Sequence, residues 1–591
     1  MWHRSTSREG KLEYYVLQTL RNVCTLVTLV DEKGPIKINK IQINKDQPYV
    51  YLEETATSKL LKQISRFEPR LELIGTVLKD LTRQIIIYDN NNNIRKPSGF
   101  KLKNPAEWVT TEESDPFHGD IEWDVLKYIS SPCAVQCRFC LHKSDPPGYY
   151  TSSSKWRGAW EEIKERINNF NPEAKTGIFS EFDYGSYEKL SHPRFFEALD
   201  LIRKKTERVI TIITNGESVD EKVVKKLTKY RAVLVVLSLN SYSKEIRRKV
   251  MRDQKGRNAV NAPSILNREN MPFIISLTHW HESPMEDLEE TIDYTDKFSP
   301  YFIRVNLEAY SKYHPLYGKY NLEEHWRSLV RVVRKKRAEI NTPIVIQPVL
   351  YEENLYQEEI QPIIRGVITN SPAFFAGLKN GDLLLQIEGK EVKYRQTAKN
   401  VLRFLSEVTN SITIKVKRGM DEFEVKLFSI EDVYPNFSFL RNSGMSYPWG
   451  IVMPDSLCLN DVKRLQKILD EHKGENILLL TSRLVYPSLR LLINELRTDK
   501  KFDRLHITIP QNTFLGEEII IGDLFTVEDM VDSVHKWIKR KGIRPDLVIV
   551  PSTPFTLWKK DIAGDSLLNL ERKVKIPVKI LRTNRIWALG G

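Results

Sequence analysis

Cysteine is scarce in this chain, with five residues among 591. So few thiols in so long a chain do not build a disulfide framework, which favours a reducing compartment. Long apolar runs are also missing, since the longest, AVLVVLSL (232–239), is far shorter than the roughly 20 residues of a membrane-spanning helix. The first residues, MWHRSTSREGKLEYY, lack the apolar core of a signal peptide. We therefore expect a cytoplasmic protein without a membrane partner.

The net charge of +13 does not identify a partner by itself. A basic chain is compatible with nucleic acid, but the Lys and Arg residues are spread along the sequence. The densest cluster, RVVRKKRAE (331–339), lies inside an amphipathic helical pattern. This pattern favours a solvated helix face, and nucleic-acid binding remains open.

The length and the changes in pattern predict four regions. Residues 1–120 mix strand and helix signals and are interpreted as a small α+β domain. In residues 121–355 short apolar strands alternate with amphipathic helices, which predicts parallel strands joined by crossover helices, as in a barrel or part of one. Residues 360–430 predict a small β domain, and residues 431–591 a separate α/β domain. The strands predicted in the second region are 125–130, 176–180, 209–214, 232–239, 273–278, 301–307 and 343–350.

Three of the five cysteines lie close together in SPCAVQCRFCLHK, namely Cys133, Cys137 and Cys140. Thiols at this spacing predict one metal centre. A tetrahedral zinc site would take His142 as its fourth ligand. An iron–sulfur cubane would instead take one thiolate per iron and leave one iron open to another ligand. The cluster follows the first predicted strand of the βα series, where loops carry chemistry, and this favours the cubane.

The same stretch resembles the radical S-adenosylmethionine (SAM) superfamily. Cys133, Cys137, Phe139 and Cys140 match its CxxxCxΦC signature, in which Φ is an aromatic residue. The resemblance implies a partial (β/α)6 barrel, a [4Fe–4S] cluster and bound SAM. It also implies an electron donor such as a flavodoxin or a ferredoxin, reductive cleavage of SAM, and abstraction of a hydrogen atom from a substrate.

The resemblance extends to candidate SAM contacts, with Phe139 placed beside the cofactors. In the family a Gly-Gly-Glu motif after the second strand receives the SAM amino group, and Glu181 in FSEFDYGS takes that place although no glycines precede it. Asn215, Ser238 and Asn240 follow the third and fourth strands and are candidates for the ribose or carboxylate of SAM. Ordinary capping of strand ends is the alternative for all of them. The fifth strand ends in further candidates for substrate or adenine, which are His279, Trp280, His281 and Glu282.

Two later stretches resemble other bacterial modules. The sequence SPAFFAGLKNGDLLLQIEGKEV resembles a PDZ domain, which implies either capture of a peptide along a sheet edge or a purely structural role. Residues Asn512, Phe514, Gly516, Gly522 and Leu524 resemble an uncharacterised C-terminal domain that accompanies PDZ and radical SAM domains. Turn chemistry alone also explains that pattern, and the resemblance implies no substrate.

The sequence thus predicts a radical SAM enzyme that acts on a peptide or protein. An RNA-modifying radical SAM enzyme is the first alternative, because of the net positive charge. The second alternative is a non-catalytic PDZ scaffold that keeps a zinc site of three Cys and one His.

Overall fold

The structure is a computed structural model of the chain. It describes residues 27–36, 40–43, 85–89, 91, 93–95, 99–102, 133, 135–144, 160, 164, 167, 188–207, 210–254, 256–356, 361–428, 447–453, 459–495, 500–555, 561–581 and 583. In these residues no helix combines the length and the apolar character that crossing a bilayer requires.

The described part of the N-terminal region forms two antiparallel sheets, with strand orders β2-β1-β6 and β3-β4-β5. The strands are β1 (Val27–Asp31), β2 (Gly34–Pro35), β3 (Lys40–Ile43), β4 (Ile85–Tyr88), β5 (Ile94–Arg95) and β6 (Gly99–Leu102). The Asn-rich turn after β4 forms because the Asp89 carboxylate accepts hydrogen bonds from the N–H groups of Asn91 and Asn93, at 2.9 and 3.0 Å. The helical segment predicted in this region lies outside the described residues.

The central sheet is parallel, and its five strands follow one another in chain order. They are β7 (Ile210–Thr214), β8 (Val233–Ser238), β9 (Phe273–Thr278), β10 (Ile303–Asn306) and β11 (Ile344–Gln347). Each lies within a predicted strand, because short runs rich in β-branched residues favour buried parallel strands. In the described residues β7 and β11 are the sheet edges, so the sheet does not close into a barrel there. The strands predicted at 125–130 and 176–180 lie outside the described residues.

Helices connect these strands and confirm the predicted α/β fold class. They are α1 (Phe195–Arg203), α2 (Glu221–Leu227), α3 (Lys244–Met251), α4 (Gly256–Arg268), α5 (Met285–Asp296), α6 (Leu322–Glu339) and α7 (Val349–Tyr356). Three begin at a side chain that accepts a hydrogen bond from the first turn, namely Asp220 for α2, Ser243 for α3 and Asn321 for α6. These residues satisfy N–H groups that have no partner within the helix.

A small β unit follows, with a four-stranded antiparallel sheet in the order β14-β13-β15-β16. Its elements are β12 (Gly366–Val367), α8 (Pro372–Phe375), β13 (Leu383–Ile387), β14 (Lys390–Glu391), α9 (Arg395–Val408), β15 (Ser411–Arg418), β16 (Asp421–Phe428) and β17 (Ile451–Val452). Strand β17 pairs with β12, and Trp449 packs into the core of this unit. The chain therefore returns to the unit beyond residue 431. The four domain ranges themselves stay predictions.

The C-terminal unit contains a second parallel sheet, with strand order β19-β18-β20-β21. Its elements are α10 (Leu459–Glu471), β18 (Ile477–Leu480), α11 (Tyr486–Glu495), β19 (Leu505–Thr508), α12 (Val527–Lys541), β20 (Leu547–Pro551), α13 (Leu567–Val574) and β21 (Val578–Leu581). Asn354 of α7 donates to the Leu484 carbonyl at 2.7 Å and accepts from the Ser488 hydroxyl at 2.8 Å. One continuous apolar core includes residues of both parallel sheets. The C-terminal unit is therefore packed firmly against the central sheet.

Candidate functional site

The cysteine loop lies against the C-terminal end of helix α3. The Gln136 N–H donates to the Met251 carbonyl at 2.7 Å, and the Arg138 N–H donates to the Val250 carbonyl at 2.9 Å. These bonds fix the backbone on both sides of the second cysteine of the motif, Cys137. Helix α3 follows β8, so the loop is held near the carboxyl end of the central sheet, where parallel sheets place their chemistry.

An apolar cluster supports the loop from behind. Phe139 is buried, and its ring centroid lies 6.4 Å from that of Trp280. Val135, Val250 and Met251 belong to the same cluster, and Cys137 packs against it. The aromatic residue of the motif therefore acts as a packing residue that positions the cysteines.

The three cysteines are free, and their thiols lie close enough to influence one another. Burial, and then the charges of Cys140 and Cys133, raise the pKa of Cys137 to about 12. Burial, and then the charge of Glu188, raise the pKa of Cys133 to about 11. Iron binds thiolates, so cluster binding would release these protons. The donor set therefore fits an iron–sulfur cluster held by three cysteines.

A site for a single metal ion such as zinc needs its ligands grouped around one point, unlike the cysteines of a cubane. Among the described side chains, no three His, Cys, Asp or Glu residues are grouped so that they could hold a metal ion. A cubane does not require such a group, since each cysteine holds a different iron.

Glu188 is a buried carboxylate beside the first cysteine, and the sequence analysis did not identify it. It is 2% exposed, and it accepts hydrogen bonds from the Thr214 hydroxyl at 2.7 Å and the Asn215 N–H at 2.9 Å. Burial raises the pKa of Glu188 to about 7. A buried carboxyl held by the end of β7 and next to Cys133 is in a position to receive a ligand at the cysteine loop.

The predicted carboxylate, Glu181, lies outside the described residues, so the structure does not test it. The resemblance to the family's Gly-Gly-Glu motif after the second strand predicts Glu181. Glu188 is seven residues further on and precedes helix α1 by the same number of residues. No part of that motif marks Glu188, so the resemblance did not identify it.

Asn215 lies beside Cys133, and its role as a SAM contact stays a prediction. Its amide nitrogen, Nδ2, is buried and forms no hydrogen bond of ordinary geometry among the described residues. The same side chain lies near enough to the Cys133 sulfur to lower the pKa of that thiol. An unsatisfied buried donor next to a metal-binding thiol is suited to a bound ligand.

Two predicted SAM contacts, Ser238 and Asn240, lie at the end of β8. The Asn240 amide oxygen accepts a hydrogen bond from the Thr278 N–H at 2.9 Å, so this side chain joins the ends of β8 and β9. Asn240 also has a positive φ of 64°, which asparagine tolerates better than most residues. Ser238 is the last residue of β8 and is half-buried there. Strand-end capping therefore accounts for Asn240, although it also borders the cavity described next.

A small cavity of about 10 Å³ lies between the cysteine loop and the ends of β8 and β9. Its lining residues include Phe139, Asn240, Arg247, Trp280 and Asp287. The cavity therefore brings together predicted residues from the motif and from two strand ends.

A buried ion pair supports this cavity. Arg247 is fully buried and pairs with Asp253 at 2.5 Å, and it also donates to the carbonyl groups of Leu239 and Asn215. The pair fixes the loops that follow β7 and β8. The sequence does not indicate this pair, because a basic residue in a largely charged stretch is expected to be exposed to solvent.

The candidates after β9 form an aromatic wall. The His281 ring stacks on Tyr320 with 3.9 Å between centroids and 4° between planes. His279 stacks on His325 at 5.4 Å. Among the described residues, the ring nitrogens His279 Nδ1, Trp280 Nε1 and His281 Nδ1 are buried without a hydrogen-bond partner. Glu282 is half exposed and lies 3.8 Å from exposed Arg138, a contact that contributes little.

Two family models match the chain. Residues 128–295 match the radical SAM superfamily, and residues 331–427 match the PDZ domain. The chain thus contains a radical SAM domain and a PDZ domain, and both predicted resemblances are confirmed. The cofactors of that superfamily are a [4Fe–4S] cluster and SAM.

Several solved structures resemble part of the chain. Streptococcus suis SuiB bound to S-adenosylmethionine is 17% identical, with a TM-score of 0.29, over 37% of this chain and 49% of that chain. SuiB bound to the precursor peptide SuiA is 18% identical over 56% and 74%, with a TM-score of 0.31. Methylornithine synthase (PylB) is 19% identical over 41% and 73%, with a TM-score of 0.26. The chain spans about half the length of the first of these. No curated protein matches the chain.

Proposed function

We propose that this protein cleaves SAM reductively and uses the resulting radical to abstract a hydrogen atom from a peptide or protein. The observation that carries the proposal is the cysteine loop of the radical SAM match, which lies at the carboxyl end of a parallel sheet beside the buried Glu188. When bound, a [4Fe–4S] cluster held by Cys133, Cys137 and Cys140 would supply the electron for reductive cleavage of SAM.

The protein's own residues have separate roles in this proposal. Cys133, Cys137 and Cys140 hold three irons of the cluster. Glu188 receives the amino group of SAM, since it is the described carboxylate beside Cys133. The Asn215 amide supplies a hydrogen bond to a ligand at the same place. Phe139 and Trp280 exclude water from the cavity, which protects a radical from side reactions.

A peptide or protein substrate is supported by the PDZ match. PDZ domains bind an extended segment along a sheet edge, so this unit would hold a polypeptide near the radical. The unit is fixed to the central sheet, because Arg395 at the start of α9 forms a buried ion pair with Glu353 of α7. Asn380 also donates to the Arg337 carbonyl at 3.2 Å.

The RNA-modifying alternative rests on the net charge of +13, and the densest basic cluster does not add to it. The densest basic cluster lies on α6, and its side chains pair with carboxylates of the protein. Arg331 pairs with Glu324, and Lys335 with Glu289. Lys336 pairs with Asp293, and both Arg334 and Arg337 pair with Glu352. Lys336 and Arg337 are therefore used within the fold, whereas the pairs of Arg331 and Lys335 lie on the surface.

The test is anaerobic reconstitution of the full chain, followed by iron and sulfide analysis and EPR spectroscopy with and without SAM. We expect about four irons per chain, a spectrum changed by SAM, and release of 5′-deoxyadenosine under reducing conditions. The triple variant Cys133→Ala, Cys137→Ala, Cys140→Ala should lose all three, while Cys24→Ala with Cys458→Ala should keep them. Zinc at about one per chain without iron would contradict the proposal.

A separate measurement of 5′-deoxyadenosine release tests the substrate class. A mixture of cellular peptides should increase 5′-deoxyadenosine release above the level without substrate, and the modified peptide should be found by its altered mass. Stimulation by RNA and not by peptides would favour the RNA-modifying alternative.

A further inference from the structure

The last cysteine of the motif is followed directly by a short 3-10 helix, Leu141–Ser144. The Lys143 N–H donates to the Cys140 carbonyl at 3.0 Å, and Lys143 Nζ donates to the Cys137 carbonyl at 2.6 Å. These bonds join the helix to the backbone of two cysteines of the motif. A contact that holds this helix therefore also holds these two cysteines.

Loop 309–320, which follows β10, contacts this helix. The Ser311 hydroxyl donates to the Ser144 carbonyl, and the Ser311 N–H donates to the Ser144 hydroxyl at 3.4 Å. Ser311 is 2% exposed, so water is largely excluded from these hydrogen bonds. Tyr310 belongs to the apolar cluster that also contains Phe139. The loop is therefore held against the cysteine loop by both polar and apolar contacts.

The C-terminal unit holds this loop at the next residue. The Lys312 N–H donates to the Leu515 carbonyl at 2.5 Å, and Lys312 Nζ donates to the Thr513 carbonyl at 2.8 Å. Both carbonyls belong to segment 512–518, which follows β19. Two adjacent residues, Ser311 and Lys312, thus connect the C-terminal unit to the helix that follows the last cysteine.

This segment is fixed in shape by hydrogen bonds of its own unit. Asn512 is buried, its Oδ1 atom accepts from the Leu515 N–H at 2.8 Å, and its Nδ2 atom donates to the Leu524 carbonyl at 2.9 Å. The Thr513 N–H and hydroxyl donate to Asp529 Oδ1, at the start of α12, at 2.8 and 2.6 Å. The two carbonyls that meet the loop are therefore presented by a rigid turn. Asn512 and Leu524 are members of the sequence pattern that resembles an uncharacterised domain.

A third member of that pattern, Gly516, allows the segment and the loop to approach closely. Gly516 has a φ of 113°, and a Cβ atom at this position would lie 2.8 Å from the Tyr317 ring. The Tyr317 hydroxyl accepts a hydrogen bond from the Glu517 N–H at 3.1 Å. Glu518 Oε1 accepts one from the Gly318 N–H at 2.8 Å. The pattern therefore provides the surface of the C-terminal unit that fits the loop.

The bonds of Lys312 are separate from the contacts that attach the C-terminal unit to the central sheet. That unit shares an apolar core with the central sheet, and Asn354 of α7 bonds to Leu484 and Ser488. Lys312 is exposed, so its side chain adds little buried apolar surface. Attachment of the unit does not depend on Lys312, which leaves positioning of the cysteine loop as the role of these bonds.

We propose that segment 512–518 positions the cysteine loop for cluster binding, by holding the helix after Cys140 through Lys312 and Ser311. Residues that orient metal ligands without touching the metal affect how tightly the metal is held. Hydrogen bonds and solvent exposure around the ligands also tune an iron–sulfur cluster. The C-terminal unit thereby becomes part of the site that the radical SAM domain builds. This inference rests on the cluster binding of the proposed function.

The experiment measures the rate at which the anaerobically reconstituted full chain loses iron to an iron(II) chelator, together with the EPR spectrum of the reduced cluster. Ser311→Ala removes the hydroxyl that holds the helix, and Gly516→Ala drives the segment away from Tyr317. We expect each variant to lose iron about tenfold faster than the unsubstituted protein and to show an altered spectrum. Lys312→Met, which loses only the bond to the Thr513 carbonyl, should lose iron about threefold faster. Lys312→Arg keeps a donor there and should retain the slow rate.

Two matched controls separate positioning from general stability. Lys319→Met changes an exposed lysine of the same loop. Ser566→Ala removes the N-cap of α13, which precedes β21 at the opposite edge of the C-terminal sheet from β19. Ser566→Ala should lower the melting temperature, because the cap stabilises the helix. Neither control should change the rate of iron loss or the EPR spectrum.

Unchanged iron loss in Ser311→Ala and Gly516→Ala would overturn the proposal. Equally fast loss from Ser566→Ala would overturn it as well, because iron loss would then follow the stability of the unit. A chain that takes up no iron would contradict both this proposal and the proposed function. A chain that takes up iron but releases no 5′-deoxyadenosine under reducing conditions would contradict only the proposed function, and the iron-loss rates would still decide the positioning role.

Discussion

The two parallel sheets differ in whether the buried charged groups at their carboxyl edges are paired. Beside the central sheet, Arg247 and Asp253 are both almost fully buried and pair with each other. Beside the C-terminal sheet, Asp523 Oδ1 is buried without a hydrogen-bond partner among the described residues, as is the hydroxyl of fully buried Thr481. The nearby Thr553 hydroxyl lowers the pKa of Asp523 but forms no hydrogen bond of ordinary geometry.

The strand orders explain where these groups lie. The central strands follow chain order, whereas the order β19-β18-β20-β21 reverses direction beside β18. Such a reversal leaves a crevice at the carboxyl ends of the strands that flank it. The comparison teaches that burial of a charge does not identify its role. A paired charge stabilises loops, while an unpaired one reduces stability unless something binds it.

Breaking the paired charge should have the largest effect on stability. Arg247→Met removes the guanidinium from the buried Asp253 carboxylate, and we expect a loss of about 3–5 kcal/mol in the free energy of unfolding. Chemical denaturation followed by circular dichroism measures this loss. The control is Arg248→Met, on the exposed side of the same helix, which should cost less than about 0.5 kcal/mol. Equal losses of unfolding free energy in both variants would show that the Arg247–Asp253 pair does not stabilise the fold.

The next largest effect is expected on the affinity for SAM when Glu188 is changed. Glu188→Gln removes a charged acceptor for the SAM amino group, so we expect the affinity of the cluster-loaded protein for SAM to fall about 10- to 100-fold. Calorimetric titration with SAM measures it. Glu181→Gln is the comparison, since it tests the carboxylate that the resemblance to the Gly-Gly-Glu motif predicts, and it should change the affinity less than about threefold. The opposite ranking would restore Glu181 as the contact.

Removing the unpaired carboxylate of Asp523 should stabilise the protein, which is the opposite of the effect of removing Arg247. Burial raises the pKa of Asp523 to about 7 from its usual 3.8. The folded state then holds a proton that the unfolded state has released, so this residue reduces stability as pH rises from about 4 to 7. Asp523→Asn should remove that dependence and stabilise the protein at pH 8 by about 2 kcal/mol, a value reduced because the residue is only half-buried. Thermal melts at pH 5 and pH 8 test it, and an unchanged pH dependence would contradict the assignment.

The smallest effect is expected at Thr481. Thr481→Val replaces a buried hydroxyl that has no partner by a methyl group of similar volume, and it should stabilise the protein by up to about 1 kcal/mol. Ser482→Ala is the contrasting neighbour, because the Ser482 hydroxyl accepts a hydrogen bond from the Val485 N–H at 3.2 Å. That variant should lose about 1 kcal/mol. Denaturation of the two variants side by side measures the difference in sign.

Strand positions were predictable because their signal is local. The run VLVVLS of β8 and the run FIISLT of β9 are recognised by composition, and both lie where they were predicted. The short helix α3 between them was not predicted, although it holds the cysteine loop. Its composition is largely charged, and only its position between β8 and the loop gives it a buried face.

The sequence alone determined the cysteine motif, the alternation of strands and helices, and the PDZ region, because each depends on residues close together in the chain. Tertiary structure alone decided that Glu188 lies beside Cys133, that Arg247 is buried against Asp253, and that Lys312 meets the segment after β19. These contacts join residues on different elements. Burial and the electrostatics of a charge depend on such distant neighbours, and no local pattern records them.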